Sequence, residues 1–138
     1  MNWIIYAVAC VFLYGIMQFF IKLASTGSNP ILSSMIFITA QFIVQIILGT
    51  YFIQKSDLVF GSDTVKYGIL GGIAAALATI FFFLAIQQST LSKVVPIVNM
   101  NVVIAVLLGV VFLKDMMNLR IVAGIILAIT SIYLLTNG

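Results

Sequence analysis

The stretch YGILGGIAAALATIFFFLAIQ, residues 67–87, holds no charged side chain. As a helix rising about 1.5 Å per residue it reaches roughly 31 Å, enough to cross a hydrocarbon layer of about 30 Å. The run is continuously apolar. A membrane barrel strand is instead an alternating segment of about ten residues, so the stretch reads as a transmembrane helix. Working outward, charge-free runs recur at 1–21, 23–54 and 94–113, and the one around the quoted stretch extends to Ser92.

Composition agrees with that reading. Of 138 residues 64% are hydrophobic and only 7% charged, and the mean hydropathy is +1.31. A water-soluble domain of this length needs more polar surface to cover its core. The net charge of +3 comes from six basic and three acidic residues near helix ends, with no basic stripe to neutralise phosphates, so nucleic acid is excluded as a partner. Cys10 is the single cysteine and histidine is absent. An internal disulfide, a cysteine cluster and the commonest metal ligand are therefore ruled out, and no metal or cofactor is expected. The first segment has no basic n-region and outruns a signal-peptide core, so it is expected to be a mature span.

An all-α integral membrane protein with five transmembrane helices follows, at about 3–22, 31–53, 67–87, 91–113 and 119–136. The turn from Ser25 to Asn29 precedes Pro30, placed where a helix can begin. The linker 54–66 is the most polar and the expected mobile loop, 88–90 is a short connection, and 114–118 a tight polar turn. The chain reads as one domain with no soluble module. Lys22 is expected to snorkel to the interface. Lys55, Lys66, Lys114 and Arg120 share the side of the N-terminus, against Lys22 and Lys93 on the other. The N-terminus is thus expected in the cytoplasm, by a bias small enough to permit dual orientation.

Small and polar residues mark the helix faces. Gly68 and Gly72, continued by Ala76, form a packing seam on the third helix, and Gly124 with Ala128 a shorter one on the fifth. These seams serve contact within one subunit or, for the fifth helix, between two. On the second helix Ser34, Gln41 and Gln45 share a face, and Tyr14 and Gln18 have the same four-residue spacing on the first. Amides at depth do not face lipid: they either hold helices together or line a substrate cavity. Pro96, followed by Asn99 and Asn101, weakens the fourth helix at a hinge, a binding site or a packing point. No acid lies inside a span. Neither an embedded proton carrier nor a nucleophile with a base is present, so an enzyme is not expected.

The segments Leu84-Ala85-Ile86, Val94-Val95-Pro96-Ile97, Leu107-Leu108-Gly109, Phe112-Leu113-Lys114-Asp115 and Gly124-Ile125-Ile126-Leu127 resemble the second part of an EamA-like unit of the drug/metabolite transporter superfamily. The likeness covers the whole chain. Where the family has a Leu-Gly-Glu type ending, this chain has Lys114-Asp115, and the shortened acid is expected to cap the turn or pair with Lys114 or Arg120. The first helix also resembles that of the small multidrug resistance transporters, through Met1-Asn2 and Lys22. Tyr14 stands where those proteins carry their membrane glutamate, which argues against antiport of protons and drug cations.

One such unit is half of an inverted-repeat transporter. The resemblance implies an antiparallel homodimer, or a heterodimer with a similar subunit, in the inner (cell) membrane. A small-molecule substrate such as an amine, an amino acid or a lipid-linked compound would be exported by alternating access. Tyr14, Gln18, Gln41, Gln45 and Asn99 are the expected cavity residues and Pro96 the hinge. The competing reading is a non-transporting subunit that completes another membrane protein.

Overall fold

A computed structural model describes residues 3–54 and 61–136. The described residues form helices joined by short turns: α1 Trp3–Ser25, α2 Pro30–Ile53, α3 Ser62–Gln88, α4 Leu91–Val98, α5 Asn101–Leu108 and α6 Leu119–Thr136, with a π-helical turn Gly109–Leu113 directly after α5. Taking Leu91–Leu113 as one span, four segments are long and apolar enough to cross a membrane, and Leu119–Leu135 is a shorter fifth. Apolar residues lie on the outside. Among the described residues only Ile21, Phe83, Ile86 and Val94 are buried hydrophobics, while Phe12, Phe81 and Leu127 are each more than 65% exposed. In water such a surface would drive aggregation, whereas hydrocarbon tails solvate it.

By their contacts the helices fall into two units, Met1–Gln88 and Ser89–Gly138. In the first, α1 stops where Gly27 takes φ +74°, a left-handed conformation that glycine adopts without penalty. Asn29 then caps α2: its Oδ1 accepts from the backbone N–H of Ile31 at 2.9 Å and of Leu32 at 3.3 Å, and Pro30 fills the first helical position, where no donor is missed. The helix α3 begins at Ser62, five residues before the expected start. Asp63 lies in its first turn, where a negative charge suits the helix dipole, and Lys66 sits 3.9 Å from it on an exposed face. The rest of the expected mobile linker, 55–60, lies outside the described residues.

The second unit departs more from expectation. Pro96 has no N–H to give to the carbonyl of Ser92, and the expected helix 91–113 divides at Asn99 and Met100. There the bonds tighten to a three-residue step: Met100 N–H to Ile97 O at 3.1 Å, Val102 to Asn99 at 3.3 Å and Val103 to Met100 at 3.0 Å. The π turn ends on Lys114, which is left-handed at φ 59°, ψ 34°. The carbonyl of Gly109 accepts from Lys114 N–H and from Asp115 N–H at 3.2 Å, which closes the helix end.

Asp115 does not pair as expected. Among the described residues the ion pair formed is Lys66 with Asp63, and the Asp115 carboxylate instead folds over Gly109, where a Cβ would come within 2.6 Å of its Oδ2. Asn118 Oδ1 then caps α6 by accepting from Ile121 N–H at 3.0 Å. Among the described residues the glycines of the expected seams have open space where a side chain would sit. A Cβ on Gly68, Gly71, Gly72 or Gly124 would meet nothing within 4 Å. Ala128 is half-buried, on the helix that packs against α4.

Candidate functional site

All the buried residues of the first unit gather at one end. Ile21 and Ser25 end α1, Ser33 and Ser34 begin α2, and Phe83 and Ile86 lie near the end of α3. No described residue before Ile21 on α1, after Ser34 on α2 or before Phe83 on α3 is buried. The three helices are tied there by hydrogen bonds to backbone. Lys22 Nζ donates to Ile86 O at 2.7 Å, one of the carbonyls that a helix C-terminus leaves without an intrahelical donor. Lys22, expected to reach the interface, thus also ties the end of α1 to the end of α3.

Ser33 Oγ donates to Ala24 O at 2.9 Å and lies 2.7 Å from Ser28 Oγ. Gln87 Nε2 donates to Ser28 O at 2.9 Å. Beneath these bonds the rings of Phe37 and Phe83 pack at 5.9 Å between centroids, tilted by 54°.

Beyond this sealed end a groove of about 530 Å³ runs between α1 and α2, within the usual range for a small-molecule site. Cys10, Tyr14 and Met17 face it from α1, and Phe37, Gln41 and Gln45 from α2, with Leu13, Ala40 and Val44 between them. The spacings explain why. Residues 10, 14 and 17 follow one stripe of a helix, as do 37, 41 and 45, so two stripes form opposing walls. Among the described residues no charged side chain lines the groove.

Polar side chains in this unit divide into two kinds. Thr39, Thr50 and Thr79 donate to the carbonyl four residues back at 2.8 Å in each case, and Ser34 to Ile31 O at 2.7 Å, so each is satisfied by its own helix. The phenol of Tyr14 and the amides of Gln18, Gln41 and Gln45 make no hydrogen bond to protein atoms among the described residues. Of the expected cavity residues, Tyr14, Gln41 and Gln45 come together in the groove. Gln18 is half-buried one step further round α1 and is not among the lining residues. Asn99 belongs to the second unit, where it closes α4 and its backbone N–H bonds Val95 O at 2.9 Å.

Cys10, Met17 and Phe37 were missed by reading the sequence for polar atoms alone. Each stands three or four residues from Tyr14 or Gln41, and that spacing was the available signal.

Exposed apolar helices of spanning length, with a largely apolar groove between two of them that carries Tyr14, Gln41 and Gln45, define a polytopic α-helical membrane protein. The profile of the EamA-like transporter family matches residues 1–137, and the chain belongs to that family. It is also similar to an uncharacterized protein of Methanocaldococcus jannaschii, 27% identical over 124 residues that cover 89% of this chain and 88% of the relative. No solved structure matches.

Proposed function

We propose that the chain is one half of a small-metabolite exporter that works by alternating access as a dimer, with the groove between α1 and α2 as its substrate path. The observation that carries this reading is the set of unpartnered groups, Tyr14, Gln41 and Gln45, facing one groove beside a hydrogen-bonded, sealed end. A polar group without a partner in hydrocarbon is costly, and a substrate that hydrogen-bonds to it relieves the cost. Gln18 joins the path when α1 rotates, and within the second unit Pro96 and Asn99 serve as the hinge region and a further polar contact.

The open glycine faces at Gly68, Gly72 and Gly124 are where a second copy packs, antiparallel in the simplest case. The protein sits in the cell membrane with the N-terminus cytoplasmic by the four-to-two bias of basic residues. Among the described residues the acids Asp63 and Asp115 stand at helix ends, so in this reading substrate moves without an embedded proton carrier.

The test is a metabolite screen by thermal stabilisation, because a ligand that binds only the folded form raises its apparent stability. Flux of the ligand found is then measured in proteoliposomes. Tyr14→Ala and Gln45→Leu are expected to reduce flux at least tenfold while the protein still folds. The same open glycine faces also favour the other reading, a subunit that completes a partner. Purified protein that moves nothing, together with recovery of a second small membrane protein by pull-down, would establish that reading instead.

A further inference from the structure

We infer that the groove takes an uncharged amphiphile: a head bearing amide or hydroxyl groups, held by Tyr14, Gln41 and Gln45, and a hydrocarbon tail lying along the apolar wall of Phe37 and Met17. The inference rests on the transport reading and narrows it. Charge decides first. Among the described residues no ionised side chain lines the groove, so an organic cation finds no carboxylate and an anion finds no ammonium there. The nearest cation along α1 is Lys22, which is bonded to the Ile86 carbonyl.

Hydrogen-bonding capacity decides next. Each glutamine amide offers two N–H donors and a carbonyl acceptor, and a phenol offers one donor and an acceptor. None of these is used within the protein among the described residues, so the complementary head carries both donors and acceptors without net charge. The entry route follows from exposure. Leu13 on the groove wall and the flanking Phe12, Phe42 and Ile43 are each more than half exposed, so the groove opens sideways, where a membrane-dissolved molecule arrives without crossing water. A hydrophilic solute has no such advantage.

Cys10 lines the groove and is the only cysteine, which makes its alkylation a direct report of occupancy. Protein in lipid nanodiscs is treated with a maleimide in the presence of three probes of equal chain length: a monoacylglycerol, an alkyl trimethylammonium and an alkyl sulfate. The monoacylglycerol is expected to slow alkylation at least fivefold and the two ions less than twofold. Gln41→Leu, a change that hydrocarbon tolerates, should abolish the protection, and Gln41→Glu should transfer it to the trimethylammonium probe.

Equal protection by all three probes overturns the inference, since only tail burial would then matter. A thiol already unreactive without a probe overturns it as well, because a second copy of the chain would fill the groove. Flux of a soluble metabolite with no protection by any amphiphile removes this inference and leaves the transport reading standing. Protection by the monoacylglycerol without any flux does the reverse.

Discussion

Lys114 holds φ 59° and ψ 34° at the end of the π turn, a conformation in which a Cβ crowds the next carbonyl and costs roughly 1–2 kcal/mol. Glycine escapes that strain but loses more chain entropy on folding. Lys114→Gly is therefore expected to raise stability by about 1 kcal/mol, measured by denaturant titration in mixed micelles, and Lys114→Ala to leave it unchanged. Equal gains from both would show that the charge, not the backbone, matters here. Lys22 acts in the opposite sense. Its ammonium satisfies the Ile86 carbonyl, and hydrogen bonds to charged groups contribute about 1.5–3 kcal/mol. Lys22→Met is expected to cost about 1–2 kcal/mol in the same titration, less than the full range because the residue is only half-buried. At this scale Tyr14, Gln41 and Gln45 were legible from sequence because polar atoms are rare and expensive within apolar runs. Gln18 obeyed the same logic yet misses the groove, since each four-residue step turns the side chain by about 40°. The carboxylate of Asp115 was misplaced, because its position depends on the space left by Gly109, which no local pattern encodes.

Helix α3 presents Gly68, Gly71 and Gly72 to open space. A seam packed within the chain would make Gly72→Leu clash, but among the described residues no atom lies near enough. The expected outcome is now a melting point for the monomer within about 1 °C of the wild type, together with a loss of dimer, read by crosslinking and by light scattering of the detergent complex. A dimer that survives Gly72→Leu would show that the face looks onto lipid. Between α4 and α5 the break at Asn99 and Met100 lies three residues beyond Pro96, whose own missing donor leaves the Ser92 carbonyl without its helical partner. Pro96→Ala should restore one backbone bond, raise the melting temperature and, if the hinge carries the transport cycle, slow flux at least fivefold. Unchanged flux in a more stable protein would reduce the proline to packing. The helices themselves were readable because long charge-free runs and the Asn29-Pro30 start leave little choice. Their ends were less so: α3 recruits the polar turn Ser62–Lys66, which hydropathy assigns to a loop, and the π turn arises from a helix end closing on Gly109.

At the scale of the whole chain, what the sequence concealed was where burial falls. Ile21, Phe83 and Ile86 are no more apolar than their neighbours, and they become interior only because Lys22, Ser33 and Gln87 pull three helix ends together. The unequal lengths of the helices carry a further consequence. Residues 67–86 of α3 match a hydrocarbon layer of about 30 Å, but residues 121–135, the apolar part of α6 beyond Arg120, reach only roughly 22 Å at about 1.5 Å per residue. A bilayer meets that deficit by thinning around the short helix, at a cost of fractions of a kcal/mol per Å. The lipid next to α6 is thus an elastic medium under load, and its thickness is a variable that acts on the protein without touching any binding group. In vesicles of monounsaturated phosphatidylcholines of increasing chain length, stability is expected to be highest in the thinner bilayers and to fall steadily as they thicken, whereas a flat response would mean that tilt of neighbouring spans or snorkelling of Arg120 absorbs the mismatch. A protein strained in this way would gather where a membrane is thin and drain from where it is thick, so its location within a cell would be set by mechanics as well as by any address in its sequence.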